Sequence, residues 1–354
     1  MKDCMKGYLV TSDLKRKVVN DVPIPSIEPW QVLVKTLSCG ICNGTDLKIA
    51  HGQFKGFGPE CYPVLLGHEA VGEVVEVGED VISYKKGDWV MYPRITKTTE
   101  NGYHTGHGAY CEYSICEDWR AMRLRGIGPG TPQFNEMAYI QTIVPKDIDP
   151  IDASMIITFR EVYLGAKHFG FGDGKSVIIF GQGSVGLTFI RFAKLMGLHP
   201  IISVDIVDDK MDEAKKQGAD YCINSTQEDI VSFVKELIPE GIDIMVDAVG
   251  INSLMMQGFE MIKMGGMIGI YGISPKLNME LDWTKAPYNW NIQFWQYPDF
   301  YEQMLANQPI INWIQSGALS CKDFISHYIP FDQINEAFDM VERKETTKKI
   351  VITY

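Results

Sequence analysis

Residues 176–186, SVIIFGQGSVG, decide the fold of this chain. The apolar run Val177–Phe180 predicts a buried β-strand, and the three glycines after it, Gly181, Gly183 and Gly186, fit the pattern G-x-G-x-x-G. The first glycine permits a tight turn, the second lets backbone approach a pyrophosphate, and the third lets the next helix pack closely on the strand. A glycine turn without a ligand is the alternative, but the position after an apolar strand favours a dinucleotide site.

The residues after the turn complete this predicted site. A helix is predicted for residues 185–196, and the N–H groups and positive dipole end at its start suit a phosphate. Asp205 ends the next predicted strand, where a carboxylate accepts hydrogen bonds from a ribose 2′-OH and repels a 2′-phosphate, so NAD is favoured over NADP. The predicted cofactor-binding residues are Gly181, Gly183, Ser184, Val185, Gly186, Asp205 and Lys210.

Strands and helices alternate around this turn. A helix predicted for residues 152–169, with Asp152 as its N-cap, precedes the turn, and apolar strands are predicted at 200–204, 242–246 and 267–271. This alternation implies right-handed βαβ crossovers and a doubly wound parallel sheet. The preceding residues form short β-rich segments, and the chain ends in a predicted edge strand at 349–352. We therefore predict an α/β protein in which residues 151–286 bind the dinucleotide, whereas 1–150 and 287–354 build a β-rich domain.

Composition limits the functions to consider. The chain has 354 residues, of which 45% are hydrophobic, and a formal net charge of −12. We expect no nucleic-acid partner, because an acidic surface repels phosphate. We also expect no membrane partner and a cytoplasmic location, since no apolar stretch approaches the roughly 20 residues of a bilayer span and the N-terminus lacks a signal-peptide pattern. The eight cysteines are predicted to be reduced thiols or metal ligands.

A metal site is predicted around Cys42, His68 and Glu69. Thiolate, imidazole and carboxylate groups are ordinary zinc ligands, and three of them with one open position are typical of a catalytic site. Asp46 is placed to orient His68 through its second ring nitrogen. A structural half-site formed by Cys39 and Cys42 is one alternative, and a buried core cysteine and histidine are another.

Together these motifs resemble the zinc-containing medium-chain dehydrogenases, which include alcohol, sorbitol, threonine and glucose dehydrogenases. The resemblance extends over nearly the whole chain and rests on the glycine turn and on further motifs at residues 40–42, 67–69, 87–88 and 349–351. It implies a GroES-like catalytic domain beside a Rossmann domain, with Cys42 as the zinc cysteine and Cys39 structural. It also implies an enzyme that transfers a hydride from a zinc-bound alcohol to NAD.

The chain departs from the family pattern beside the cysteine. The family carries C-x-[S/T]-D, whereas this chain has one residue more, Cys42-Asn43-Gly44-Thr45-Asp46. We predict Thr45 as the hydroxyl that relays the substrate proton. Lys48, at the place of a relay histidine in alcohol dehydrogenases, and the nearby His51 are weaker candidates.

The fourth metal ligand is a further departure. The family position falls on Ile157, which cannot bind a metal. Glu161 is predicted to reach zinc, to hold a zinc-bound water or to bond a substrate hydroxyl, with a structural salt bridge as the alternative. Thr158 or water are other candidates for the open position. The four closely spaced cysteines of a structural zinc lobe are missing, so one zinc per subunit is expected.

The substrate is predicted only by resemblance. The single-zinc pattern is closest to polyol and sugar dehydrogenases, so we expect a secondary alcohol of that class, oxidised to a ketone by a homodimer or homotetramer. The alternatives are a short-chain secondary-alcohol or diol dehydrogenase and a zinc-free enone or quinone reductase. Residues 119–143 look like an insertion relative to the family, which would cap the cleft or make a subunit contact. For an aromatic run at 283–297, we favour packing in the core or at an interface over stacking on a sugar.

Overall fold

The computed structural model describes residues 4–276, 278–346 and 348–354. The chain forms two compact units, one comprising Met1–Thr158 with Asp299–Tyr354 and the other Phe159–Pro298. The β-rich unit is thus built from both ends of the chain. The domain limits predicted after residues 150 and 286 remain predictions.

The described residues contain strands and helices in both units. The strands are β1 (Cys4–Val10), β2 (Arg16–Pro23), β3 (Gln31–Gly40), β4 (Val64–Leu65), β5 (Glu69–Val77), β6 (Trp89–Met91), β7 (His104–Thr105), β8 (Tyr113–Glu117), β9 (Ile143–Val144), β10 (Val177–Phe180), β11 (Ile201–Asp205), β12 (Tyr221–Asn224), β13 (Ile242–Asp247), β14 (Ile262–Ile270), β15 (Asn291–Phe294), β16 (Ile325–Pro330) and β17 (Lys349–Thr353). The α-helices are α1 (Asp46–Ala50), α2 (Trp119–Leu124), α3 (Met155–His168), α4 (Ser184–Leu195), α5 (Met211–Gln217), α6 (Ile230–Leu237), α7 (Asn252–Met261), α8 (Phe300–Gln315) and α9 (Ile334–Glu342).

The unit Phe159–Pro298 contains a parallel sheet in the order β12-β11-β10-β13-β14-β15, and every pairing in it is parallel. The central strand β10 is buried along its whole length, as expected for a strand covered on both faces. The doubly wound α/β architecture predicted from the glycine turn is confirmed. Strand β15 joins this sheet although the sequence placed its residues in the C-terminal segment.

The other unit is built around the long strand β3. The order of its larger sheet is β16-β17-β3-β5-β6-β9, and β8 pairs with the first half of β3. The prediction that the last strand lies at an edge was wrong, because β16 pairs with its outer side and β3 with its inner side. A second sheet has the order β2-β1-β4-β7.

The start of helix α3 differs from the prediction. Helix α3 begins at Met155 after a short 3-10 turn, and Asp152 does not cap it; the Asp152 carboxylate accepts a hydrogen bond from the Tyr328 hydroxyl at 2.5 Å instead. In the part of the chain that is described, no helix is both long and apolar enough to cross a bilayer.

Candidate metal centre and cofactor turn

The pairing of β3 with β5 brings the predicted metal ligands together. Gly40 at the end of β3 lies opposite Glu69 at the start of β5 in this antiparallel pair. Cys42 follows β3 and His68 precedes β5, so all three side chains come from one corner of the sheet. A sulfur, a ring nitrogen and a carboxylate oxygen of Cys42, His68 and Glu69 all lie within 4.8 Å of one another. Among the described residues this is the one such group of three or more His, Cys, Asp or Glu side chains.

Asp46 holds two of these ligands in place. Its carboxylate is fully buried, and Oδ1 lies 3.4 Å from Nδ1 of His68. Oδ2 accepts hydrogen bonds from the Cys42 N–H at 3.0 Å and from the Tyr110 hydroxyl at 2.9 Å. Burial opposes ionisation of Asp46, but His68 and these hydrogen bonds outweigh it and hold the carboxyl pKa below its ordinary value. The predicted orienting role of Asp46 therefore has a geometric basis.

Two further residues contact the carboxylate of Glu69. Lys349 of β17 is buried, and its Nζ lies 2.5 Å from Oε2 of Glu69. The Thr158 hydroxyl donates to Oε1 at 3.2 Å. A Cβ on Gly40 would lie 2.6 Å from the Glu69 Oε2 atom, so only glycine leaves room for the carboxylate.

Sequence reasoning missed the roles of Lys349 and Tyr110. The closing strand was noted as a motif, but nothing in its pattern shows that Lys349 is paired with Glu69. Tyr110 is not a metal ligand, and nothing in the sequence around it indicates its hydrogen bond to Asp46. Both contacts join segments far apart in the chain.

The acidic side chains of the cluster stabilise positive charge on their neighbours. Burial lowers the pKa of His68, but Asp46 and Cys42 outweigh it and raise the imidazole pKa well above its ordinary value. Burial likewise opposes the Lys349 ammonium, but Glu69 and Cys42 outweigh it and raise its pKa. A zinc ion would supply positive charge here, and a sulfur, a nitrogen and a carboxylate oxygen are donors that zinc takes. The residues present fit a zinc ion.

The predicted relay residues differ in their surroundings. Thr45 precedes α1, and its hydroxyl makes no hydrogen bond to any residue that the structure describes. Burial lowers the pKa of the partly buried Lys48, against the opposing charge of Cys42. His51 instead pairs with Glu342 of α9, at 2.9 Å between Nε2 and Oε1. The Thr45 hydroxyl is therefore unengaged among the described residues, and its relay role stays a prediction.

Helix α3 carries the candidates for the open metal position. The side chain of Ile157 is fully buried. Thr158 is also buried and reaches the cluster through its hydrogen bond to Glu69. Glu161 belongs to the other compact unit, and its role stays a prediction.

A second histidine lies beside the cluster and was not predicted to act there. The ring centroid of His107 is 5.6 Å from that of His68 and 5.7 Å from that of Tyr92. Burial, and then the charges of His68 and Arg94, lower its pKa to about 3, so this imidazole stays neutral. Cys111 and Cys116 are buried, and burial raises the pKa of both thiols.

The cofactor turn has the geometry that the glycine pattern requires. Gly181 has a φ of 91°, which lies in the left-handed region that favours glycine. A Cβ on Gly186 would lie 1.7 Å from the Gly181 carbonyl oxygen, so α4 packs directly against the turn. Around Gly183, the N-cap of α4, the space that a Cβ would fill is empty to 4 Å. Helix α4 begins at Ser184, one residue before the predicted start at Val185.

Asp205 ends β11 beside this turn. Its Oδ2 accepts from the Gln182 N–H at 2.7 Å and lies 3.1 Å from Nζ of Lys210. Its Oδ1 accepts from the Ile206 N–H at 2.8 Å. The carboxylate is thus fixed at the strand end, with Lys210 at its side.

The aromatic run in residues 283–297 separates into packed and exposed side chains. Trp290 packs on the core of the parallel-sheet unit, with its ring centroid 4.7 Å from that of Phe259. Trp295 stacks on His168 at 3.4 Å. Four of the run are exposed, namely Trp283, Tyr288, Phe294 and Tyr297.

Comparison with known proteins agrees with this fold and site. Residues 184–293 match the zinc-binding dehydrogenase family, and residues 28–126 match the alcohol dehydrogenase GroES-like domain. The chain is 30% identical to an L-threonine 3-dehydrogenase of Pyrococcus horikoshii over 93% of both chains. It is 26% identical to a sorbitol dehydrogenase of Bombyx mori over 94% of both. A zinc-binding dehydrogenase from Sinorhizobium meliloti 1021, solved with NADP, superposes with a TM-score of 0.80 at 23% identity, over 100% of both chains.

The fold, the cluster and these matches define a zinc-dependent dehydrogenase that uses NAD or NADP. The chain belongs to the zinc-containing medium-chain dehydrogenase family, of the alcohol, threonine and sorbitol dehydrogenase type.

Proposed function

We propose that this enzyme oxidises a secondary alcohol of the polyol or sugar class to a ketone and passes the hydride to NAD. The observation that carries the proposal is the cluster of Cys42, His68 and Glu69 with its supports Asp46 and Lys349. Zinc bound there would act as a Lewis acid that lowers the pKa of the alcohol.

Each side chain of the cluster has a definable task. Asp46 accepts from the backbone N–H of Cys42 and places its carboxylate beside the imidazole of His68. Lys349 pairs with Oε2 of the Glu69 carboxylate, and the Thr158 hydroxyl donates to Oε1. Thr45 would relay the proton of the alcohol, accepting it while its own hydroxyl proton passes on toward solvent, since this hydroxyl has no partner among the described residues. Glu161 is assigned to a substrate hydroxyl or to the open metal position.

The glycine turn and Asp205 are assigned to NAD. Gly183 leaves open space for the pyrophosphate at the start of α4, and Ser184, Val185 and Gly186 follow it. The carboxylate of Asp205 would bond the ribose 2′-OH and repel a 2′-phosphate, whereas Lys210 offsets part of that repulsion. We expect NAD to be preferred, and initial rates with NAD and NADP at equal concentrations measure the preference.

A panel of alcohols tests the substrate class. Sorbitol, galactitol and inositols are compared with 2-propanol and 2,3-butanediol, and NADH formation is followed by its absorbance. We expect a higher kcat/KM for at least one polyol than for either short alcohol. A preference for the short alcohols would overturn the polyol assignment and leave the zinc mechanism intact. Elemental analysis and light scattering of the same sample test one zinc per subunit and a homodimer or homotetramer.

A further inference from the structure

Residues 119–143 form a cavity that the proposed reaction does not use. Its volume is about 410 Å³, and none of its lining residues belongs to the metal cluster. The lining comprises the aromatic side chains of Trp119, Phe134 and Tyr139, the apolar Ile127, and Arg123. Ligand sites of small molecules have volumes of this order and mainly apolar walls with a few polar groups.

The aromatic walls are held by edge-to-face packing. The Tyr139 ring centroid lies 5.4 Å from that of Trp119 and 5.4 Å from that of Phe134. Tyr139 also packs on Tyr301 of α8 at 5.5 Å. The guanidinium of Arg120 covers Trp119, 4.7 Å from the ring centroid. Side chains that do not line the cavity thus support Trp119 and Tyr139, and Phe134 packs on Tyr139.

The backbone around the cavity is fixed as well. Asp118 caps α2 and accepts from the N–H groups of Arg120 and Ala121, and from the Ser83 hydroxyl at 2.7 Å. In the loop after α2, the Thr131 hydroxyl donates to the Gly128 carbonyl at 2.8 Å. An insertion held by a cap, a turn and an aromatic cluster is ordered well enough to present a site.

Arg123 differs from the arginines on either side of it. Arg120 stacks on Trp119, and Arg125 pairs with Asp80. Arg123 is exposed and has neither an ion pair nor a hydrogen bond to the residues that the structure describes. The unpaired guanidinium of Arg123 offers N–H donors at the aromatic cavity in the planar geometry that suits a carboxylate.

We propose that this cavity binds a small aromatic carboxylate. The faces of Trp119, Phe134 and Tyr139 would contact the planar ring of the ligand, and Arg123 would take its carboxylate in a bidentate pair. A neutral sugar would use the rings but not the guanidinium. The cavity is a site separate from that of the alcohol substrate.

Calorimetric titration of the full-length enzyme with naphthalene-2-carboxylate tests the proposal. Its uncharged isostere, naphthalene-2-carboxamide, separates the contribution of the charge from that of the ring. The variants are Arg123→Gln, Trp119→Leu and the matched control Arg125→Gln, which removes a neighbouring arginine that does not line the cavity. Thermal unfolding of each variant verifies that it folds.

We expect saturable binding of the carboxylate that weakens roughly tenfold to hundredfold in Arg123→Gln, because a charge-assisted pair is lost. Binding of the carboxylate should weaken in Trp119→Leu and stay unchanged in Arg125→Gln. The carboxamide should bind the wild-type enzyme about as weakly as the carboxylate binds Arg123→Gln. No saturable binding, equal affinity in Arg123→Gln, or equal affinity for the carboxamide would overturn the proposal. Binding of a neutral monosaccharide in preference to the carboxylate would do so as well.

Discussion

At the residue scale, the candidate site combines side chains that the sequence pattern names with others that only the fold supplies. Cys42, His68 and Glu69 stand in short motifs, and Asp46 follows at a spacing that suggests an orienting role. Lys349 could not be assigned, because its contact with Glu69 depends on the pairing of the last strand with β3.

The buried pair of Lys349 and Glu69 gives a stability prediction. Lys349→Met leaves the Glu69 carboxylate buried without its cation, so we expect the free energy of unfolding of the metal-free enzyme to fall by about 3–5 kcal/mol. Urea denaturation at pH 7 measures the change. The exposed pair of Lys6 and Asp332, at 2.7 Å, is the control, and Lys6→Met should have little effect. An equal effect of the two variants would contradict the role given to Lys349.

Asp46 gives a metal-binding prediction. Asp46→Asn keeps the size of the side chain but removes the charge that faces His68, so zinc affinity should fall about 10- to 100-fold. Competition with a coloured zinc chelator measures the affinity. Asp88→Asn is the control, since Asp88 is a buried carboxylate that accepts from the Lys85 N–H outside the cluster. Unchanged zinc affinity in Asp46→Asn would remove Asp46 from the site.

At the scale of elements, the strand–turn–helix at residues 176–196 was predictable because three signals agree. An apolar strand, a glycine pattern and a helical segment follow one another, and the structure confirms β10 and α4. The place of the last strand was not predictable. An interior and an edge strand differ in their neighbours, and the neighbour β16 is short and largely exposed, so its sequence gives little signal.

Gly183 and Gly186, the second and third glycines of the turn, give opposite predictions. In Gly186→Ala the new methyl group meets the Gly181 carbonyl, so we expect a loss of about 1–3 kcal/mol in the free energy of unfolding. In Gly183→Ala the methyl group meets open space, so stability should be retained while NADH affinity falls. Thermal denaturation and NADH fluorescence titration measure the two quantities. Equal destabilisation by both substitutions would contradict the assignment of Gly186 to helix packing and of Gly183 to cofactor binding.

Asp243 links the amino-terminal ends of β10 and β13. Its ionisation gives a prediction of how the stability of the enzyme depends on pH. Asp243 accepts from the Ser176 N–H at 3.0 Å and lies 2.5 Å from Nζ of Lys263. Burial opposes its ionisation, but Lys263 and Ser176 outweigh it and hold the pKa of Asp243 below its ordinary value. Its contribution is therefore complete at neutral pH and is lost as the pH falls through the lowered pKa.

Asp243→Asn should accordingly cost about 1 kcal/mol at pH 7 and progressively less in acid. Urea denaturation of both proteins at pH 7 and near pH 3 measures this difference. A cost that is the same at both pH values would show that ionised Asp243 does not stabilise the sheet.

At the scale of the whole molecule, the sequence predicts the class of protein better than its substrate. Each unit carries one compact motif, the metal cluster in one and the glycine turn in the other, and each motif has a spacing set by its chemistry. Substrate choice depends on side chains gathered from many segments. No spacing rule relates them, so the polyol assignment rests on similarity to relatives.

The central claim is that the cluster of Cys42, His68 and Glu69 holds the zinc on which NAD-dependent alcohol oxidation depends. Zinc content and NADH formation, measured together in wild type, Cys42→Ser and the control Cys222→Ser, test it most directly. We expect wild type and Cys222→Ser to hold one zinc per subunit and to oxidise the same alcohol. Cys42→Ser should lose both zinc and activity while still binding NADH. Wild-type activity in a Cys42→Ser enzyme would contradict the claim.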